Sequence, residues 1–393
     1  MRATLRASGA LLLWAAASLA AAQPAPAPAP PLPFAQPVLG PRGPLTADQE
    51  RDRQQWLAQA RQALQADDPA AAQPPLDRAA AIQHSADTEL LMVQQMMQRG
   101  AYRQALAFAA HAAGAHADVP QARALYAWLA ALGGQAAFAD AQLTLGLQRL
   151  PDDAVLLHTR QALASLQPAG GPPLTPPGRP GPWATGAQVP PQARPVGGGV
   201  LLAGGAQALL VLTPAAAAGA APLWVRDGLG RTRAIRLAPG QPGDPAMLAQ
   251  LASPLPGGVA LAQAPVPAFA GSPAVVLGYL PADDPQPAWP ALHLGFLGRP
   301  AGDAGQVLGI ALPPELPGAA VLDLQGRLLG LSTPSTQAAP GHLLPLPALR
   351  KLLGDQAEAA WPMAPAGPRR TPDELYEQAL PAVLQVLAVA PQQ

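Results

Sequence analysis

Residues 196–217 read VGGGVLLAGGAQALLVLTPAAA, and the interpretation of this stretch decides the fold of the C-terminal half of the chain. Three glycines lead into an apolar run, then a Gly-Gly turn, then a second apolar run. That is a strand–turn–strand hairpin, with strands predicted over Gly199–Ala203 and Ala208–Leu212. Outward from it, short apolar segments recur between Gly and Pro: Leu223–Val225, Arg233–Leu237, Val259–Gln263, Ala274–Tyr279, Gln306–Ile310, Ala319–Leu322 and Leu328–Leu331. Such a rhythm belongs to a barrel or a sandwich. DGLGRTRAIRL (227–237) and DLQGRLLGL (323–331) each set a glycine in a tight turn between apolar strands.

The order of these pieces resembles the trypsin-like serine proteases. VLTPAAA is similar to the family's V-L-T-A-A-H, GGVALAQ (257–263) to its D-L-A-L-L-R strand, and GSPAVVLGYL (271–280) to G-x-P-V-x-x-L-G-Y-P. LPGAAVLDLQGRLLGLST (316–333) is similar to the hairpin G-N-S-G-G-P-L-L-D-x-x-G-R-V-V-G-I. Family catalysis needs a base on a hydroxyl nucleophile, a carboxylate that orients the base, and amide donors for the oxyanion. Carried over, the base position is Ala216, the carboxylate Gly258 and the nucleophile Pro317, so the resemblance implies a catalytically dead double barrel. Proline at 317 also lacks the amide that would face the oxyanion. The domain's hydroxyls, among them Ser253, Ser272, Ser332, Thr333 and Ser335, and its histidines, His293 and His342, show no relocated pair.

From Thr46 to about Leu166 the periodicity is helical and it repeats. Ala72, Ala105 and Ala139 stand 33 and 34 residues apart, each five residues after Asp67, Gly100 and Gly134. This resembles the tetratricopeptide repeat, in which a small residue closes the first helix and an alanine lets the second approach it. Trp56, Ala79, Ala112 and Pro151 stand at further positions of that pattern, whereas Val93, Ala127, Gly146 and Ala109 depart from it. The resemblance implies a small groove for a peptide or protein segment, with Tyr102, Tyr126 and Trp128 as candidate aromatic contacts, or as packing between helices.

Composition sets the limits. Twenty-four basic residues balance 24 acidic ones, so no global field draws nucleic acid or an anionic membrane. The chain has no cysteine, which excludes disulfides and thiolate metal sites. His84, His111, His116 and His158 show no acidic partner at ligand spacing, so no metal or other cofactor is predicted. Arg2 and Arg6, the apolar run 10–19 and Ala20-Ala21-Ala22 have the layout of a secretory signal peptide over residues 1–22. A periplasmic protein without stable membrane insertion is expected from it.

The predicted organisation follows. A Pro/Ala-rich tether (23–45) leads to three tetratricopeptide-like helical repeats (46–166), a Pro/Gly-rich linker (167–195), the trypsin-like domain (196–355) and a second linker (356–370). Residues 371–393 open with a capping box, Thr371 and Glu374, then Pro381 and an apolar strand. They resemble the helix and first strand (E-L-Y-E-x-x-x-P-A-V-V-x-V) that usually precede the Gly-rich hairpin. The segment either folds back to complete a permuted barrel or forms a tail. The expected function is an exported scaffold that binds a protein or peptide through the repeats. The alternative is a divergent serine hydrolase with a non-standard site.

Overall fold

The computed structural model describes residues 39–165, 189–190, 192–218, 221–239, 244–255, 260–264, 268–279, 290–300, 305–310, 312, 317–333, 341–365 and 367–389. The expected signal peptide, most of the tether and of the first linker, Gly258 and Ser335 lie outside them.

Among the described residues seven helices come first: α1 (Ala47–Gln65), α2 (Pro69–Ile82), α3 (Ala86–Gln98), α4 (Tyr102–Ala115), α5 (Pro120–Leu132), α6 (Ala136–Arg149) and α7 (Ala154–Ser165). Each packs on the next, and α1, α3, α5 and α7 also touch in succession. The turns α1–α2, α3–α4 and α5–α6 have one construction. Asp67, Gly100 and Gly134 take φ of 56°, 82° and 82°. The amide after each reaches back to a carbonyl five residues earlier: Asp68 to Ala63, Ala101 to Met96 and Gln135 to Ala130, at 2.9 Å each. This is the Schellman closure, which needs a left-handed residue and favours glycine there. Ala72, Ala105 and Ala139 are at most 1% exposed, so the second helix of each pair approaches through a methyl group.

Two closed six-stranded barrels follow, the double-barrel fold that the hairpin reading predicts. The first uses β1 (Ala193–Leu201), β2 (Gln207–Leu212), β3 (Leu223–Asp227), β4 (Thr232–Leu237) and β5 (Met247–Leu251), with a short helix α8 (Pro214–Ala218) after β2. The second uses β6 (Pro273–Gly278), β7 (Ala291–Pro300), β8 (Gln306–Gly309), β9 (Ala320–Leu322), β10 (Leu328–Thr333) and β11 (His342–Pro345). Helices α9 (Leu346–Leu353), α10 (Ala357–Ala360) and α11 (Pro372–Ala379) lead to β12 (Val383–Val389).

Strand β12 completes the first barrel, inserted antiparallel between β1 and β3, with Leu384 opposite Gly199 and Asp227. The two barrels then have one topology. Counted in chain order, the second closes as first-second-third-sixth-fifth-fourth. The first closes in that order only when β12 is counted first and β1 second. The fourth-to-fifth connections also match. Asp227 Oδ1 accepts from the Leu229 and Arg231 amides while Oδ2 takes Arg231 Nε at 2.7 Å. Asp323 does the same with Gln325, Arg327 and Arg327 Nε.

Strand alternation sorts the core. Leu201, Leu210, Leu212, Leu384 and Val386 fill the first barrel, and Val276, Leu308, Val321 and Leu343 fill the second. The opposite faces, Val200, Leu209 and Val211 with Val275, Leu277 and Leu331, join a third cluster shared between barrels. One predicted strand does not form among the described residues. Of 259–263, residues 260–263 form only isolated bridges at Gln263, while Ala260 and Leu261 enter the shared cluster. The run is apolar because it crosses a buried junction. Strands β5, β7 and β11 were not predicted.

Candidate functional site

The base position, Ala216, lies in α8 just after β2. Its amide bonds back to the Thr213 carbonyl at 3.0 Å, and its methyl packs on the first barrel's interior cluster. The carboxylate position, Gly258, lies outside the described residues; the strand that closes the first barrel beside β2 and β4 is β5, headed by Met247. Met247 packs on the same cluster as Ala216. Neither side chain ionises.

Pro317 is buried at the start of the turn before β9. Gly318 (φ 77°) abuts Gly198 of β1 so closely that a Cβ on either would collide with the other's backbone or the Pro317 carbonyl. The Gly318 amide donates to the Ser332 carbonyl at 2.8 Å, and the Ala319 amide to Ser332 Oγ at 2.9 Å. Ser332, 1% exposed, therefore uses its hydroxyl to brace this turn. His293 on β7 has a pKa lowered by burial.

The three aromatic candidates do not form one surface. Tyr126 and Trp128 are partly buried on the helical core, with Tyr126 edge-on to Phe138 at 5.5 Å. Tyr102 faces the first barrel. Its hydroxyl is out of solvent, and burial, with Tyr376 and Asp227 nearby, pushes its pKa well above the ordinary phenol value. Gly100 beside it rests on Leu229 of the β3–β4 turn. Burial is also the chief cause that raises the pKa of Asp67 to about 6, against the opposing pull of Arg231 and Arg233. The array thus meets the barrel through the turn residues of its own repeats.

Helix α11 ties the other side. Tyr376 donates to the Pro290 carbonyl at 2.8 Å and Gln378 to the Gly326 carbonyl at 3.2 Å, both on the second barrel. Glu377 accepts from the Arg103 amide in the first turn of α4, a helix whose N-cap, Ala101, offers no side-chain acceptor. The second barrel also carries a cavity of about 310 Å³ lined by Leu297, Leu329, Leu343, Pro345 and Arg350.

The helices bring together a group that sequence spacing did not show. Glu89, in the first turn of α3, is fully buried. His84 Nε2 lies 2.5 Å from its Oε1, His116 Nε2 3.4 Å and His111 Nε2 3.8 Å. His84 comes from the α2–α3 connection, His111 from α4 and His116 from the cap of α4. Burial raises the Glu89 pKa and lowers those of His84 and His116. The expectation of separate histidines without an acidic partner is therefore corrected: the partner is a neighbour in space, on a different helix turn.

No protein-family model and no curated protein matches the chain. Among solved structures, the MamO protease domain from Magnetospirillum magneticum (apo form) is similar at 18% identity, over 44% of this chain and 94% of that one, with a TM-score of 0.33. The HtrA-type protease AlgW with a decapeptide matches at 15% identity over 39% of this chain, with a TM-score of 0.32; the match spans 50% of the AlgW chain. The Rv3671c protease, inactive form, matches at 19% identity over 42% of this chain and 87% of that one, also at 0.32. At these values the likenesses add nothing to the strand order, from which the fold is read. No helix among the described residues is long and apolar enough to cross a membrane.

Proposed function

We propose that this protein is an exported, periplasmic interaction protein: a tetratricopeptide-like array that binds a protein or peptide segment, fixed to a trypsin-like barrel without catalytic activity. The observation that carries the reading is the chemistry at the degenerate site. Ala216, Gly258 and Pro317 offer no base, carboxylate or nucleophile, Met247 at the head of β5 adds none, and the hydroxyl of Ser332 accepts from the Ala319 amide. Pro317 is moreover buried, so a nucleophile placed there would not reach solvent. Double barrels of this kind keep their shape through the two interior cores and the shared cluster, none of which needs the triad.

A fluorophosphonate probe tests the reading. The purified full chain and its Pro317→Ser variant are expected to stay unlabelled under conditions that label a trypsin control. Labelling of the parent protein that is lost on denaturation would instead establish the divergent hydrolase. For the array, the exposed Phe138 beside Tyr126 is the aromatic edge open to a ligand. Capture of a reproducible partner from periplasmic extract, weakened by Phe138→Ala, is the expected outcome.

A further inference from the structure

We propose that His84, Glu89 and His116, with His111 as fourth ligand, form a binding site for a divalent transition-metal ion of the zinc class. The donor atoms of His84, Glu89 and His116 lie within 4.8 Å of one another. A tetrahedral ion at metal–ligand distances of about 2.0–2.1 Å requires ligand atoms roughly 3.3 Å apart. His116 Nε2 and Glu89 Oε1 are 3.4 Å apart, and His84 Nε2 and His111 Nε2 are 3.3 Å apart. The shorter His84–Glu89 contact, 2.5 Å, is one that a bound ion would open.

The environment points the same way. Neither oxygen of the buried Glu89 carboxylate meets hydrogen-bond geometry, nor does His116 Nε2. A carboxylate withdrawn from water and faced only by imidazole nitrogens outside hydrogen-bond geometry is costly, and a bound cation between them is one of the few remedies for it. Three imidazoles and one carboxylate, with no thiolate, suit Zn²⁺, Co²⁺, Ni²⁺ or Cu²⁺ rather than Ca²⁺ or Mg²⁺. The rings are held for the purpose: His111 is stacked between Phe108 and His84, at centroid distances of 5.7 and 5.3 Å.

One contact must change on binding. Arg42 Nε donates to His84 Nδ1 at 3.1 Å, whereas a His84 ligating through Nε2 carries its proton on Nδ1. Arg42 is exposed and precedes α1, so its side chain is free to turn out to water. With four protein ligands the site is closed, which assigns it a structural role: it pins the α2–α3 connection, α3 and the end of α4 together.

The test uses the full chain without a polyhistidine tag, stripped with chelator and titrated with Co²⁺ and Zn²⁺. Expected are one equivalent of Co²⁺ with the visible absorption of a tetrahedral site, displacement by Zn²⁺, and a rise in melting temperature with Zn²⁺ but not Mg²⁺. Glu89→Gln keeps the shape of the buried side chain without its charge and should weaken binding by about tenfold or more, as should His116→Ala. His158→Ala, outside the cluster, should bind like the parent. Absence of Co²⁺ absorption and of a Zn²⁺-dependent shift in the folded parent would overturn the proposal. So would binding that persists unchanged in both Glu89→Gln and His116→Ala.

Discussion

Arg103 and Glu377 stand 274 positions apart in the chain, yet their side chains meet at 3.0 Å and the Arg103 amide donates to the same carboxylate at 2.9 Å. Asp373 adds a second contact to the guanidinium at 3.0 Å. One acidic helix thus caps α4 and fastens the helical array to the segment that completes the first barrel. Arg103 is 42% exposed and Glu377 18%, so the pairing is partly screened. A double-mutant cycle of Arg103→Ala and Glu377→Gln in urea unfolding should give a coupling of about 0.5–1 kcal/mol that shrinks in high salt.

The C-terminal strand should be essential to the first barrel. Leu384 is 1% exposed within that barrel's interior, so Leu384→Ala is expected to cost about 2–5 kcal/mol. Removal of residues 370–393 should lower the melting temperature further, and a peptide of residues 371–390 should partly restore it. An unchanged melting transition after truncation would show that the β1–β12–β3 pairing contributes nothing.

The paired turns give a matched comparison. Asp227 and Arg231 are 0% and 3% exposed, whereas Asp323 and Arg327 are each 15% exposed. The geometry is the same; the helical array covers only the first turn. Loss of one partner of a buried pair leaves the other charge stranded, so Asp227→Asn should cost about 3–5 kcal/mol and Asp323→Asn clearly less. Chemical denaturation of the two variants side by side measures the difference.

Asp67 gives the pH dependence. Its folded pKa of about 6 lies above the ordinary 3.8, so the folded state binds this proton more tightly than the unfolded chain does. Its contribution to stability therefore falls as pH rises from about 4 to 6, and the penalty is complete above that window. Asp67→Asn keeps a residue that tolerates φ of 56° and removes the charge. The variant should gain on the order of 2 to 3 kcal/mol at pH 8, and none below pH 4. Unfolding free energies at both pH values check the sign.

Much of the fold could be read from residues whose requirement is local. The D-x-x-G-R turns, the glycine run of β1 and the Asp67, Gly100 and Gly134 closures each need a specific backbone conformation, and composition betrays it. The capping box at Thr371 and the apolar run after Pro381 marked α11 and β12 in the same way. Other elements had no such local mark. Strand β7 presents Leu294 and Phe296 to solvent at 58% and 50% exposure, which breaks the expected alternation. Strand β11 runs directly into α9 through Pro345, and the run 260–263 owes its apolar character to a junction between barrels. The Glu89 cluster was hidden for a related reason: helix packing, not chain spacing, brings its members together.

The position of β12 in the chain bears on how the molecule assembles. Synthesis delivers β1 to β5 and then every strand of the second barrel before β12 emerges. A first barrel built from β1 to β5 alone would be a five-stranded open sheet, with β1 and β3 exposing unpaired edges across a gap one strand wide. Any extended segment with the same alternation fits that gap, and the β12 of another copy fits it perfectly in sequence. Crowded nascent chains can therefore trade strands and emerge as exchanged dimers, a hazard that the second barrel, with its six strands in continuous order, does not share.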